Sequence, residues 1–331
     1  MKVCLVGCGY WGRNHARVLS ELGLLAGCVD TDAERREAIA RRFSVPGFAS
    51  VDDLLSSVPG VAAFVLATPA SGHRADAVRL LSAGYHVLVE KPIALTEADM
   101  AAISQAAGTS GAVCMAGHLM VFHPAVRHIR DLIRSGHLGE VLYIYTRRTN
   151  LGLVRPDVNV LWDLAPHDCA VAAYLLDPKR IGPCRAMGRS VLSPDRADVV
   201  FASMGLDDAL MNLHVSWLDA VKCRQMMVVG DRRMVMFDDV AQEKVRIYDR
   251  GITVDRSGGG EFSTFGEFMI QYRHGDILSV EVPLVEPLRA ELEHFVSAIT
   301  DGTVCETGVS HATTVTRMLE QMDAELGGAP L

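Results

Sequence analysis

An apolar stretch, Val3-Cys4-Leu5-Val6, runs directly into Gly7-Cys8-Gly9-Tyr10-Trp11-Gly12. Three glycines at these intervals leave little freedom in what can form. The first permits a turn that a Cβ would obstruct, and the second lets the backbone approach a bound phosphate closely. The third lets the following helix pack tightly on the strand. A helix beginning in such a turn presents unpaired N–H groups to it, which favours an anion there. The same glycines also occur in plain turns, so their weight depends on the pattern of the chain beyond them.

Beyond the turn the chain alternates. Apolar runs at 2–6, 25–29, 62–66, 86–90 and 112–115 are separated by helical patterns at about 12–22, 32–43, 72–83 and 96–107. The runs are continuously apolar, as in a parallel sheet covered on both faces. Thr96 with Asp99 gives a capping pattern at one helix start. This rhythm predicts an α/β chain with an N-terminal doubly wound parallel sheet of the Rossmann type. In that setting the turn reads as a dinucleotide site, with Gly7, Gly9, Tyr10, Trp11 and Gly12 against the cofactor.

Asp30 ends the second strand, where a carboxylate can accept hydrogen bonds from the adenosine ribose. A 2′-phosphate would meet that charge at a cost of about 4 kcal/mol at an intermediate effective dielectric. Thr31 and Asp32 follow, while Arg35 and Arg36 stand a helical turn away and read as a solvated face. NAD is therefore expected in preference to NADP.

After Phe122-His123-Pro124 the texture changes. A helix at about 125–135 leads to an alternating strand at 141–149, a polar loop, and a short helix at about 163–176. From 184 to 282 many alternating segments predict an open, mostly antiparallel sheet, helix-covered on one face. Helices at about 287–300 and 308–325 close the chain. The expected division is a dinucleotide-binding domain at 1–120 and a substrate-binding and oligomerisation domain at 121–331. The last helices are able to pack back on the first domain.

A net charge of −8 over 331 residues argues against a nucleic-acid partner, which needs a basic face. No apolar run approaches the roughly 18 residues of a membrane helix. Glycines interrupt the apolar start before a signal peptide could form, giving a cytoplasmic expectation. The eight cysteines are scattered without a Cys-x-x-Cys and read as reduced core residues. His118, His123 and His128 recur every five residues, which suits neither a helix face nor a strand face, so no metal site is expected.

Three further segments carry chemistry. Thr68-Pro69 closes one strand, with His73 opening the helix behind it; all three are read as lining the dinucleotide crevice, with an incidental histidine as an equal alternative for His73. Glu90-Lys91-Pro92 closes the next strand, at the carboxyl edge where doubly wound sheets bind ligands. Glu90 and Lys91 are taken to border the cofactor, and His118 the nicotinamide. Asp163-Leu164-Ala165-Pro166-His167 sets a carboxylate and an imidazole on one helix face, with Pro166 placing the helix start near Asp163. Asp163 could be only a helix cap and His167 an ordinary buried histidine. Together with Lys91 and a dinucleotide, however, the pair suits alcohol oxidation. Histidine accepts a proton near neutral pH, lysine holds the hydroxyl and steadies developing alkoxide, and Asp163 orients substrate or histidine. No metal is needed.

The glycine turn, Glu90-Lys91-Pro92 and Asp163 to His167-Asp168, in this order, resemble the Gfo/Idh/MocA oxidoreductase family, the glucose–fructose oxidoreductase and inositol dehydrogenase group. The resemblance extends through 122–139 and from Glu286-Pro287-Leu288 to His294-Phe295. It implies an active site between the domains, with Lys91, Asp163 and His167 as catalytic group, and a homodimer or homotetramer formed through the C-terminal sheet. The stretch Asn150-Leu151-Gly152, Arg155, Asp157, Asn159 through Asp168 is similar to the branch acting on nucleotide-linked sugars, amino sugars and aminoglycosides, often at C-3. Arg155 and Asn159 then become substrate contacts. The resulting expectation is oxidation of a ring hydroxyl to a ketone, or the reverse reduction. An inositol or aminocyclitol dehydrogenase is the alternative, and a non-catalytic NAD-binding regulator the alternative of another class.

Overall fold

The computed structural model describes residues 1–152, 154–155, 158–192, 194–254 and 270–327. Asp157 of the polar loop lies outside them. The chain divides into two compact units, Met1–Phe122 with Val285–Glu320, and His123–Leu284 with Gln321–Leu331.

In the first unit six strands form one sheet: β1 (Lys2–Val6), β2 (Leu25–Val29), β3 (Gly47–Phe48), β4 (Val61–Leu66), β5 (His86–Glu90) and β6 (Cys114–Gly117). Their order is β3-β2-β1-β4-β5-β6, and every pairing is parallel. The reversal of strand order between β1 and β4 is the point at which such sheets open a ligand crevice. Helices α1 (Tyr10–Glu21), α2 (Ala33–Phe43), α3 (Val51–Ser57), α4 (Ala70–Ser82) and α5 (Glu97–Ser110) form the connections. Asp32, Ser50 and Thr96 cap α2, α3 and α5 by accepting backbone N–H bonds from Arg35, Asp53 and Asp99. The short β3 and α3 escape the sequence pattern because two and seven residues are too few to establish a period. The strands Val3–Leu5, Ala63–Leu66 and Val87–Val89 are completely buried, as their unbroken apolar character requires.

The second unit begins with α6 (Pro124–Arg134), β7 (Val141–Thr149) and α7 (Val160–Leu176). It continues with β8 (Ile181–Arg189), β9 (Val199–Leu206), β10 (Ala209–Ser216), β11 (Cys223–Gly230), β12 (Met234–Asp238), β13 (Val245–Val254) and β14 (Ile270–Val280). The sheet order is β14-β13-β12-β11-β7-β10-β9-β8. Its pairings are antiparallel except one: β10 runs parallel to β7, in the register Leu213↔Thr146. Ile144, Leu213, Val215, Val200 and Val228 are buried, while Tyr143, Tyr145, Phe201 and Leu210 are exposed at alternating positions. Helices α8 (Pro287–Thr300) and α9 (Val309–Leu326) complete the chain. Among the described residues no helix is long and apolar enough to cross a membrane.

Helix α7 begins earlier than its proline suggests. Asn159 caps it, accepting from the Trp162 N–H at 3.1 Å, so Pro166 sits within the helix rather than in its first turn. The extra turn persists because Val160, Leu161 and Trp162 are buried. Tertiary packing thus offsets the backbone bond that proline removes.

Candidate active site

At the carboxyl edge of the first sheet the glycine turn is built as its spacing demands. Gly7 adopts φ +94°, and a Cβ there would lie 2.6 Å from the Ala67 carbonyl. A Cβ on Gly12 would meet the Gly7 carbonyl oxygen at 2.0 Å. Gly9, by contrast, faces open space, with nothing within 4 Å of an added Cβ. Helix α1 starts on Gly9 with no side-chain cap and no acidic residue in its first turn. Its leading N–H groups therefore have no side chain competing for them, an arrangement that fits a dinucleotide pyrophosphate. Tyr10 and Trp11 follow, ring against edge at 5.9 Å, with Tyr10 79% exposed.

The Asp30 carboxylate fixes this turn to the next strand end. Oδ2 accepts from the Cys8 N–H at 2.6 Å and Oδ1 from the Asp32 N–H at 2.9 Å. Arg35 pairs with Asp32, whereas Arg36 is not on a solvated face: its Nη1 donates to the Asp30 carbonyl at 2.7 Å. After β4, Pro69 begins α4, again without a side-chain cap. His73 is buried, with Nε2 2.8 Å from the Thr68 carbonyl oxygen and Nδ1 2.9 Å from that of Pro92. It ties the turn after β4 to the turn after β5.

Lys91 follows β5 through a backbone held from behind. The Glu90 carboxylate accepts from the Lys91 N–H at 3.0 Å through Oε2 and lies 2.7 Å from His15 Nε2 through Oε1. His15 is fully buried and Glu90 nearly so. His118, just past β6, is buried edge-on to His311 at 5.3 Å. Burial first, then His311 and Lys91, push its pKa well below the ordinary imidazole value. His118 is thus neutral at physiological pH, a polar but uncharged wall near the lysine. Among the described residues no cluster of histidine, cysteine or carboxylate groups could hold a metal ion.

In the second unit, Asp163 and His167 stand one turn apart on α7 and share a face. Trp217, buried at the end of β10, donates Nε1–H to Asp163 Oδ2 at 3.1 Å. Arg155 approaches the other oxygen at 3.9 Å. Asn159 uses both ends of its amide, Oδ1 as the α7 cap and Nδ2 donating to Asp323 at 2.8 Å. Beside His167, the Asp168 carboxylate receives Arg148 of β7 in two bonds of 3.0 and 2.9 Å, both groups buried. Such a fork holds the middle of α7 on the sheet. His214, in contrast, stacks on Phe201 at 4.2 Å, and Arg224 pairs with Asp239.

Sequence reasoning missed the supporting residues Arg148, Trp217 and Asp323. Arg147-Arg148 held the only available signal. In an alternating strand consecutive residues face opposite ways, so one arginine had to point inward and needed a carboxylate. Trp217→Phe keeps the ring but removes the donor. It is expected to cost about 1–2 kcal/mol, as for a hydrogen bond to a charged, partly exposed group, in a urea titration.

Two family models match the chain. Residues 1–118 match the oxidoreductase family with an NAD-binding Rossmann fold, and residues 126–236 match the GFO/IDH/MocA C-terminal domain. The UDP-N-acetylglucosamine 3-dehydrogenase of Acidithiobacillus ferrooxidans is 31% identical over 255 residues, covering 76% of this chain and 78% of that one. A solved structure of that enzyme superposes with a TM-score of 0.83 at 26% identity, over 99% of this chain and 98% of the other. The structure of GenD2 from gentamicin A biosynthesis, in complex with NAD, shares the fold, with a TM-score of 0.81 at 24% identity over 99% and 94% of the two chains. The scyllo-inositol 2-dehydrogenase (NAD+) of Bacillus subtilis is 27% identical over 184 residues, 53% of this chain and 54% of that enzyme. With both domains matched and a relative aligned along most of its length, this chain belongs to the Gfo/Idh/MocA oxidoreductase family.

Proposed function

We propose that this protein is an NAD-dependent dehydrogenase that oxidises a secondary ring hydroxyl, at C-3, of a nucleotide-linked amino sugar to a ketone. The observation that carries the proposal is the Asp163–His167 pair on α7, its carboxylate fixed by Trp217 and its imidazole one turn away. The likeness to UDP-N-acetylglucosamine 3-dehydrogenase, over more than three quarters of that enzyme, supports the substrate class.

The residues divide the work by chemistry. When bound, the dinucleotide supplies the hydride acceptor, held by Gly7 to Gly12, Asp30 and Thr68-Pro69. Lys91 donates a charged hydrogen bond to the reacting oxygen and stabilises negative charge as it develops. His167 takes the hydroxyl proton, which an imidazole can do near neutral pH. Asp163, its direction set by Trp217 and Arg155, orients the substrate and favours the charged imidazole that results. Reduction of the ketone uses the same groups in reverse. A neutral His118 adds no second positive charge beside Lys91.

The selectivity for NAD is assigned to Asp30. Its carboxylate already accepts from two backbone N–H groups, so it is held in place where a 2′-phosphate would have to sit. Asp30→Ala is expected to narrow the ratio of NAD to NADP affinity by roughly tenfold or more, because the carboxylate that would face the phosphate is gone. Isothermal titration with each dinucleotide measures it, and an unchanged ratio would remove Asp30 from cofactor choice.

The proposal is tested by NADH absorbance with UDP-N-acetylglucosamine, free hexoses, aminoglycosides and inositols as separate substrates. Reduction of NAD by the nucleotide-linked sugar is expected. Reduction by inositols alone would favour the cyclitol reading that the scyllo-inositol 2-dehydrogenase likeness suggests. Flat absorbance with every substrate, while NAD still binds, would overturn the enzymatic reading.

A further inference from the structure

We propose that Glu291 of α8 is a positioning residue for Lys91, acting through Glu90, whose carboxylate it confines to His15 and to the Lys91 N–H. The inference rests on the reading of Lys91 as a reacting residue. Glu291 is 0% exposed, and neither of its carboxyl oxygens meets a hydrogen-bond partner among the described residues. A carboxyl group in that state is an exception that calls for an explanation. An ionised carboxylate would lack both water and donors, a costly condition, whereas a neutral acid tolerates it far better.

The neighbours decide which carboxyl group stays neutral. Glu90 has donors: His15 Nε2 at 2.7 Å and the Lys91 N–H at 3.0 Å. Glu291 has none of these, and Glu90 itself acts on it through its charge. Burial first, then Glu90, hold the Glu291 pKa well above the ordinary carboxylate range. Two carboxylates in one dry region do not both ionise readily, so Glu291, the one without donors, stays neutral. The other groups around Glu291 do not alter this. Cys305, in the loop after α8, has a thiol pushed up to about 11 by burial and stays neutral. Arg17, Glu21, Glu286 and Arg289 pair with one another at the exposed end of α1 and α8. A neutral Glu291 therefore does not repel Glu90. Ionisation would push Glu90 away from His15 and from the backbone that aims Lys91.

A raised folded pKa fixes the sign of the pH dependence. The folded chain binds more protons than the unfolded chain between the ordinary carboxylate pKa and the raised one. Stability is thus full below the ordinary value and falls as pH rises through this window. Glu291→Gln keeps the shape and cannot ionise. Its melting temperature is expected to exceed that of the parent by a margin that grows with pH, with kcat within about threefold at neutral pH. Glu291→Ala opens a cavity at a fully buried position and is expected to lower kcat about tenfold with little change in NAD affinity. The acetylation rate of Lys91 by acetic anhydride, read by peptide mass spectrometry, should match the parent in the Gln variant and differ in the Ala variant.

A melting margin for Glu291→Gln that is independent of pH would overturn the proposal. So would equal Lys91 acetylation in both variants. If Ala fails to fold, the pH-dependent margin and Lys91 acetylation of the Gln variant still decide. Should Lys91→Ala retain normal turnover, the reading of Lys91 fails, whereas the pH-dependent margin tests Glu291 independently of any turnover.

Discussion

Lys91→Ala is expected to lower turnover by about a thousandfold while leaving NAD binding nearly intact. The asymmetry comes from where the side chain acts. In the proposed arrangement the dinucleotide is held by the glycine turn, the uncapped start of α1 and Asp30, none of which depends on the lysine side chain. The lysine ammonium is assigned to the reacting oxygen, where charge develops only on the way to the transition state. Loss of such a contact lowers kcat and kcat/KM together and leaves ground-state binding largely unchanged. Single-turnover kinetics with a dinucleotide-binding titration separate the two effects. Near-normal turnover in the variant would take Lys91 out of the chemistry.

The second large effect concerns stability. Arg148→Ala leaves Asp168 as a buried carboxylate without its two donors, and is expected to cost about 3–5 kcal/mol. Calorimetry should show melting lowered on the order of 10 °C for a domain of this size. The double replacement Arg148→Met with Asp168→Leu is expected to recover much of that loss, because it removes both charges rather than one. The two variants part company in function. Asp168 adjoins His167 on α7, so the double variant should melt near the parent temperature yet hold His167 less firmly, with kcat reduced. A single variant as stable as the parent would show that the fork contributes little.

Much of this was legible in the chain. Strand β1, the glycine turn, Asp30 and the end of β5 were readable because each is a local device: a turn needs its glycines, and a parallel strand needs continuous apolar residues. Strand β7 and helix α8 match their predicted limits for the same reason. The start of α7 was misplaced because Pro166 is a strong local signal, overridden here by the burial of Val160 to Trp162 and the Asn159 cap. The parallel pairing of β7 with β10 was hidden, since alternation fixes a strand's faces and not its neighbours. The supports of the site were hidden for a similar reason. Trp217 to Asp163, Arg148 to Asp168 and Asn159 to Asp323 span 54, 20 and 164 residues. Only folding brings such partners together.

Hydride transfer from a ring carbon to the cofactor is the central claim, and following an isotope tests it most directly. The protein is incubated with NAD and a nucleotide-linked amino sugar bearing deuterium at C-3, and the reduced cofactor is weighed by mass spectrometry. Deuterium is expected in the reduced nicotinamide, with the sugar converted to a ketone at that carbon. Reduced cofactor without the label, or a ketone elsewhere on the ring, would contradict it.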